Sequence, residues 1–186
     1  MNLLKNPIIA VLLTILIVLS STIISISIKL NNKCEAVIDD FYEGKLQHGI
    51  VYTSLYADIC SMYELASEVS LVAENYGVNV KELNASISEL KEELGFKNDD
   101  ISEIYADYTS MYSYLRAVEI ELSGIGLSQR HMEYMTEISA QIAQLKSSID
   151  SSSYNDVVRN FYKKFDRFPV NTFAAIFDVE YPEYFA

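Results

Sequence analysis

Ile8 to Ile28 reads IIAVLLTILIVLSSTIISISI. No charged residue stands between Lys5 and Lys29. At roughly 1.5 Å per helical residue, about 21 residues cover the ~30 Å hydrocarbon core of a bilayer. The stretch therefore predicts a helix that crosses a membrane once, with lipid contact through residues 8–28. A cleaved signal peptide is the competing reading, and Ser25-Ile26-Ser27 supplies a small-x-small pattern near the end of the run. Signal cores are only ~7–15 residues long, so the length favours a retained anchor. Lys5 lies on one side, Lys29 and Lys33 on the other. That near balance leans slightly towards a cytoplasmic C-side and leaves the side of the following domain open.

Every one of the 26 acidic residues lies at or beyond Glu35, with 11 of the 14 basic residues. The part after the anchor thus carries 11 − 26 = −15 at neutral pH. Phosphate recognition needs clustered Lys and Arg, so the balance argues against nucleic acid as a partner and against the domain lying flat on anionic lipid. Two cysteines, Cys34 and Cys60, are too few for a disulfide scaffold. Three prolines and six glycines in 186 residues suit a mainly helical chain with one sizeable core.

Apolar residues after Val37 recur every three or four positions. Val51, Leu55, Ile59, Met62, Ala66, Val69, Ala73, Tyr76, Val80, Leu83, Ile87, Leu90 and Leu94 fall on one stripe. No stretch alternates as a strand does. A helix over the whole of Cys34–Leu94 would be about 90 Å long, so it must break. Gly77, followed by Asn79 and Glu82 as a capping pair, marks one place; Met62–Ser67 would give more equal helices. Gly44 and Gly49 can loosen the membrane-proximal section. Gly95 to Asp100 marks the next boundary, with Asp100 and Glu103 as cap and partner. Ile101, Ile104, Tyr108, Met111, Leu115, Val118 and Leu122 form a second regular stripe. After Ser123-Gly124-Ile125-Gly126 a last long helix starts near Leu127 or Ser128, with Met135, Ile138, Ile142, Leu145 and Ile149 inward. The frame slips at Ser151–Ser153, and Pro169 ends the helical pattern that resumes at Tyr154. The aromatic tail beyond it should pack back on the bundle. These stripes predict an all-α fold: an N-terminal transmembrane helix, then an antiparallel up-and-down four-helix bundle. The divisions are 1–30 for the anchor, 34–168 for the bundle and 169–186 for the tail.

The C-terminal section carries a specific set of residues in order. Tyr154-Asn155-Asp156 is followed by Phe168-Pro169, Asn171, Ala174, Phe177 and finally Tyr184-Phe185. This resembles the closing signature of the LemA family, over roughly the last 35 residues. The first half departs from that family's pattern. Ser61 and Met62 stand at its arginine pair, Ser67 at its proline and Glu68 at its asparagine. The resemblance implies a retained N-terminal membrane helix, a four-helix bundle of the bacterial cell envelope and no established enzymatic role. It also places the first break near Met62–Ser67, in preference to Gly77–Asn79.

No catalytic or metal constellation emerges. His48 and His131 have no neighbours at ligand spacing, and His131 with Glu133 lies on different helix faces. Glu92-Glu93 and Asp99-Asp100 sit at helix ends, where solvated or capping roles explain them. Asn84-Ala85-Ser86 matches a glycosylation sequon by chance. Arg159, Lys163, Lys164 and Arg167 form the one basic cluster; local pairing with Asp156, Asp166 and Asp178 is expected ahead of a contact with lipid headgroups or an acidic partner. No cofactor is implied. The expected function is non-enzymatic protein contact in the envelope with a membrane or envelope protein. The alternative is a sensor or transporter-accessory domain binding a small ligand in a cavity lined by some of Tyr105, Tyr108 and Tyr112 with polar groups, although at helical spacing these tyrosines are expected first as core and core-edge packing.

Overall fold

The computed structural model describes residues 7–47, 50–95 and 100–186. It is predominantly helical. Helix α1 runs from Pro7 to Glu43, and Pro7 suits the first turn because its missing N–H has no partner there anyway. An 18-residue window within it has a mean hydropathy of 2.7 and none of that window is buried. It is one helix long and apolar enough to cross a membrane. The hydroxyls of Thr14, Ser21 and Thr22 donate to carbonyls one turn back, so they are satisfied without water. The helix does not stop where the apolar run stops. It continues through Lys29 and Lys33 to Gly44, whose φ of 74° favours a glycine.

A short antiparallel hairpin comes next, β1 (Lys45–Gln47) and β2 (Ile50–Tyr52), with Leu46 opposite Val51. The sequence showed no alternation here, and three-residue strands are too short to display one. Gly49 and His48 lie outside the described residues.

Helix α2 (Leu55–Asn75) starts at Ser54, whose hydroxyl accepts the Ala57 N–H at 3.0 Å. It runs unbroken through Met62–Ser67, which corrects the family-based expectation. Met62 and Ala66 are fully buried there, and Ser67 merely donates to the Tyr63 carbonyl. Proline would break the ladder; serine does not. The helix ends instead at Gly77, at φ 75°. Val78 N–H reaches back to the Ala73 carbonyl and Gly77 N–H to that of Glu74, the paired bonds of a Schellman end. Helix α3 (Lys81–Leu94) then starts behind Val80, with Asn79 Oδ1 accepting from Lys81 N–H in place of the expected Asn79–Glu82 pair. Helix α4 (Ile101–Ser123) is capped by Asp100, which accepts from Glu103 N–H, and α5 (Gln129–Asp150) by Ser128. At Ser151–Ser153 the chain breaks rather than bends. Helices α6 (Tyr154–Phe165) and α7 (Val170–Ile176) complete the order.

Two compact units divide the chain. The larger comprises Ile38–Val158 with Glu183–Ala186. In it α2 packs against α3, α4 and α5, and α3 packs against α4. The predicted stripes meet in its core: Ile59, Met62, Leu90, Ile104, Met111, Leu115 and Ile142 are all almost wholly buried. Each such side chain contributes roughly 1.5–3 kcal/mol on removal from water. Buried Glu119 ties α4 to α5 by accepting from the Ser139 hydroxyl at 2.8 Å while pairing with Arg116.

The smaller unit comprises residues up to Val37 with Arg159–Pro182. Its interior gathers rings: Phe161 lies 5.2 Å from Tyr181 and 4.9 Å from Phe165 between centroids. The Tyr181 hydroxyl donates to the Phe165 carbonyl at 3.2 Å.

Candidate functional site: a tyrosine-lined cleft

The larger unit carries a cleft of about 300 Å³ between α4, the end of α5 and the start of α6. Tyr105, Tyr108 and Tyr112 project into its wall from successive turns of α4, because spacings of three and four keep one helix face. Ile149 and Asp150 of α5 and Phe185 of the tail complete it. These are the tyrosines that the sequence marked as possible cavity lining. A second cleft of about 350 Å³ shares Leu55, Ser152 and Tyr154 with the first. Its lining is polar. Buried Asp58 accepts there from the Ser148 hydroxyl at 2.6 Å, joining α2 to α5.

The tail builds one wall. Asn155 Nδ2 donates to the Phe185 carbonyl, and Phe185 N–H donates to Asn155 Oδ1, both at 2.8 Å. Two such bonds reproduce the pairing of a strand neighbour and fix the backbone of Phe185. Its ring is then held among Phe41, Tyr105 and Tyr108, with centroids 6.0, 4.9 and 5.9 Å away. The Tyr154 hydroxyl donates to the Glu183 carbonyl at 2.9 Å, and Glu183 accepts the Ser102 N–H at the start of α4. Of the family-motif residues, Tyr154, Asn155 and Phe185 thus meet at this cleft. Ala174 is buried in the smaller unit, Phe168 is 84% exposed, and the Phe168–Pro169 bond is cis. Asn171, Phe177 and Tyr184 are exposed, and Asp156 lies in the first turn of α6.

One group in the cleft wall stands out. The Tyr108 hydroxyl is buried and has no hydrogen-bond partner among the described residues. Burial pushes its pKa well up, and the nearby Asp150 charge pushes it further, so the phenol stays neutral and able to donate. Leaving such a group unsatisfied costs about 1–3 kcal/mol. At the rim Lys146 pairs with Asp150 and stands 5.3 Å from the centre of the Tyr112 ring. Aromatic faces and a carboxylate hold an ammonium there already.

The other candidates resolve into structural roles. His131 Nδ1 lies 2.8 Å from the Tyr76 hydroxyl, which also accepts the Ser128 N–H at 3.0 Å. Those bonds pin the end of α2 to the start of α5, and the Ser128 hydroxyl and N–H lower the Tyr76 pKa. Asn84 of the sequon accepts from Ser70 and donates to Glu74. His48 and Asp99 lie outside the described residues. Among the described residues no three His, Cys, Asp or Glu side chains gather as a metal site. The pairing expected of the basic cluster differs from the observed arrangement: Lys163, Lys164 and Arg167 make no ion pair with any described carboxylate, although Arg159 and Asp156 both have partners.

No family model, curated protein or solved structure matches this chain.

Proposed function

We propose that this chain is a single-pass membrane protein of the bacterial cell envelope, and a divergent member of the LemA family, that works by binding and not by catalysis. Its larger unit is an up-and-down antiparallel four-helix bundle. The contacts of α2 with three other helices and the tight turn at Gly77 support that topology. The anchor keeps the bundle within a linker's reach of the bilayer.

Two kinds of occupant suit such a module. A protein partner fits the exposed Leu71, Ile120 and Met132, but single exposed apolar residues are ordinary on any surface. The observation that favours a small ligand is the tyrosine-lined cleft, behind whose wall the Tyr108 hydroxyl has no partner among the described residues. At about 300 Å³ the cleft sits at the small end of ligand sites. It suits a compact molecule with an apolar body and one hydrogen-bonding group.

The test uses the full chain in lipid nanodiscs, titrated with phenol, indole and tetramethylammonium while the tyrosine resonances are followed. Binding of one of them, lost in Tyr108→Phe, is the expected result. If none of the three perturbs Tyr105, Tyr108 or Tyr112, the small-ligand reading fails. Crosslinking in native membranes then asks whether a protein occupies the bundle instead.

A further inference from the structure

Charge is divided unequally between the two units. The smaller unit holds seven basic residues (Lys5, Lys29, Lys33, Arg159, Lys163, Lys164, Arg167) and four acidic ones, a net of +3. The larger holds the remaining seven basic and 22 acidic residues, a net of −15. The positive unit is also the one that contains the apolar run Ile8–Ile28.

Within that unit one face of α1 is covered. Leu30 and Cys34, one turn apart, are 2% and 3% exposed. Ile23 and Ile26 on the same face are half-covered, while Ile24 and Ile28 are open. Tyr181 is a near neighbour of Cys34: burial raises the phenol's pKa first, and Asp166, Cys34 and Tyr162 add to it. Cys34 lies six residues beyond Ile28, roughly 9 Å along the helix. The headgroup layer is about 5–8 Å deep on each side of the hydrocarbon. The segment 159–181 is therefore packed at the level where a crossing helix leaves the lipid. It turns outward Lys163, Lys164 and Arg167, without ion pairs to any described carboxylate, and Phe168, Ile176 and Phe177, at 84%, 65% and 40% exposure.

We propose that Lys163, Lys164 and Arg167 with Phe168, Ile176 and Phe177 form a second membrane contact, which seats the α6–α7 segment in the headgroup layer of an anionic phospholipid leaflet. The cations meet lipid phosphates, and the exposed rings and Ile176 enter the interface, where aromatic side chains are favoured. Charge complementarity supports this occupant, since the unit that contains the apolar run is also the net-positive one. The contact rests on the membrane-crossing reading of α1.

The chain has no tryptophan, so single substitutions give clean reporters. The full chain carrying Phe168→Trp or Phe177→Trp goes into nanodiscs of phosphatidylcholine with phosphatidylglycerol, some lipids brominated as quenchers. Leu16→Trp reports the crossing segment and Leu71→Trp the bundle. Blue-shifted, quenched emission at positions 168 and 177, with Leu71→Trp unquenched, is expected. At about a factor of five per basic residue near an anionic surface, Lys163→Gln, Lys164→Gln and Arg167→Gln together shift docking by roughly a hundredfold. Quenching at 168 and 177 then falls, as it does in phosphatidylcholine alone. Emission at both positions that stays water-like in anionic discs overturns the proposal, even if an acidic protein is found to bind there. If Leu16→Trp is quenched in that case, the crossing helix stands and only the second contact fails.

Discussion

Asn155→Ala removes both hydrogen bonds that hold the backbone of Phe185. At a net 0.5–1.5 kcal/mol each they contribute roughly 1–3 kcal/mol. The docked segment Glu183–Phe185 also gains about 2 kcal/mol from burying the Phe185 ring and about 1 kcal/mol each from the Tyr154 and Ser102 bonds. Against this stands the ordering of three residues, about 1–2 kcal/mol apiece. The balance is only a few kcal/mol, so removing the amide tips the segment towards release. Amide exchange at Phe185, measured by NMR on the full chain in nanodiscs, should accelerate about 10- to 100-fold, the equivalent of roughly 1.4–3 kcal/mol. Asn155→Asp keeps an acceptor for the Phe185 N–H but loses the donor to its carbonyl, and should fall between. If the Phe185 amide in Asn155→Ala remains as protected as in the parent, the clamp does not hold the tail and the reasoning is refuted.

Other outcomes rest on single features. Tyr108→Phe deletes an unpartnered buried hydroxyl, so the unliganded protein should gain up to about 1–3 kcal/mol in urea unfolding; a loss would mean that the hydroxyl has a partner. Gly77→Ala meets open space, so its cost is backbone strain at φ 75° alone, roughly 1–2 kcal/mol in the same assay. Met111→Ala empties a fully buried site and should cost about 2–5 kcal/mol, or prevent folding. Asp107 has its pKa raised, first by burial and then by Glu89 and Glu93. Its ionised form therefore disfavours the fold above the raised pKa, and the penalty is relieved as pH falls through that value. Asp107→Asn should accordingly raise Tm at neutral pH, with the gain vanishing as pH approaches about 4; a gain that does not change with pH would point to another cause.

The helical core was legible because burial enforces a period. Ile59, Met62, Leu90, Met111 and Ile142 stand on the predicted stripes and are buried. The cap at Asp100 was legible because capping is chemistry within three residues. The first break was misplaced when a family's proline outweighed the local Gly77, although the chain carries serine where that proline would stand. The length of α1 was hidden for a related reason. Lys29 and Lys33 end the apolar run, but nothing among residues 29–43 breaks a helix. The cleft was half visible: the tyrosines share a face of α4. That Asn155 would clamp Phe185, or Ser148 would meet Asp58, depends on partners 30 and 90 residues apart, beyond any local pattern.

The unequal division of charge bears on how copies would share a membrane. Anchored molecules diffuse in a plane, where neighbours collide far more often than in free solution. Each brings a bundle of net −15 to the encounter. With a Debye length of about 8 Å at physiological ionic strength, the repulsion acts only near contact, which is where clusters would begin. On the proposed anchoring by α1, copies in one membrane should stay dispersed unless something positively charged bridges two of these acidic units, and raising the ionic strength should let them approach.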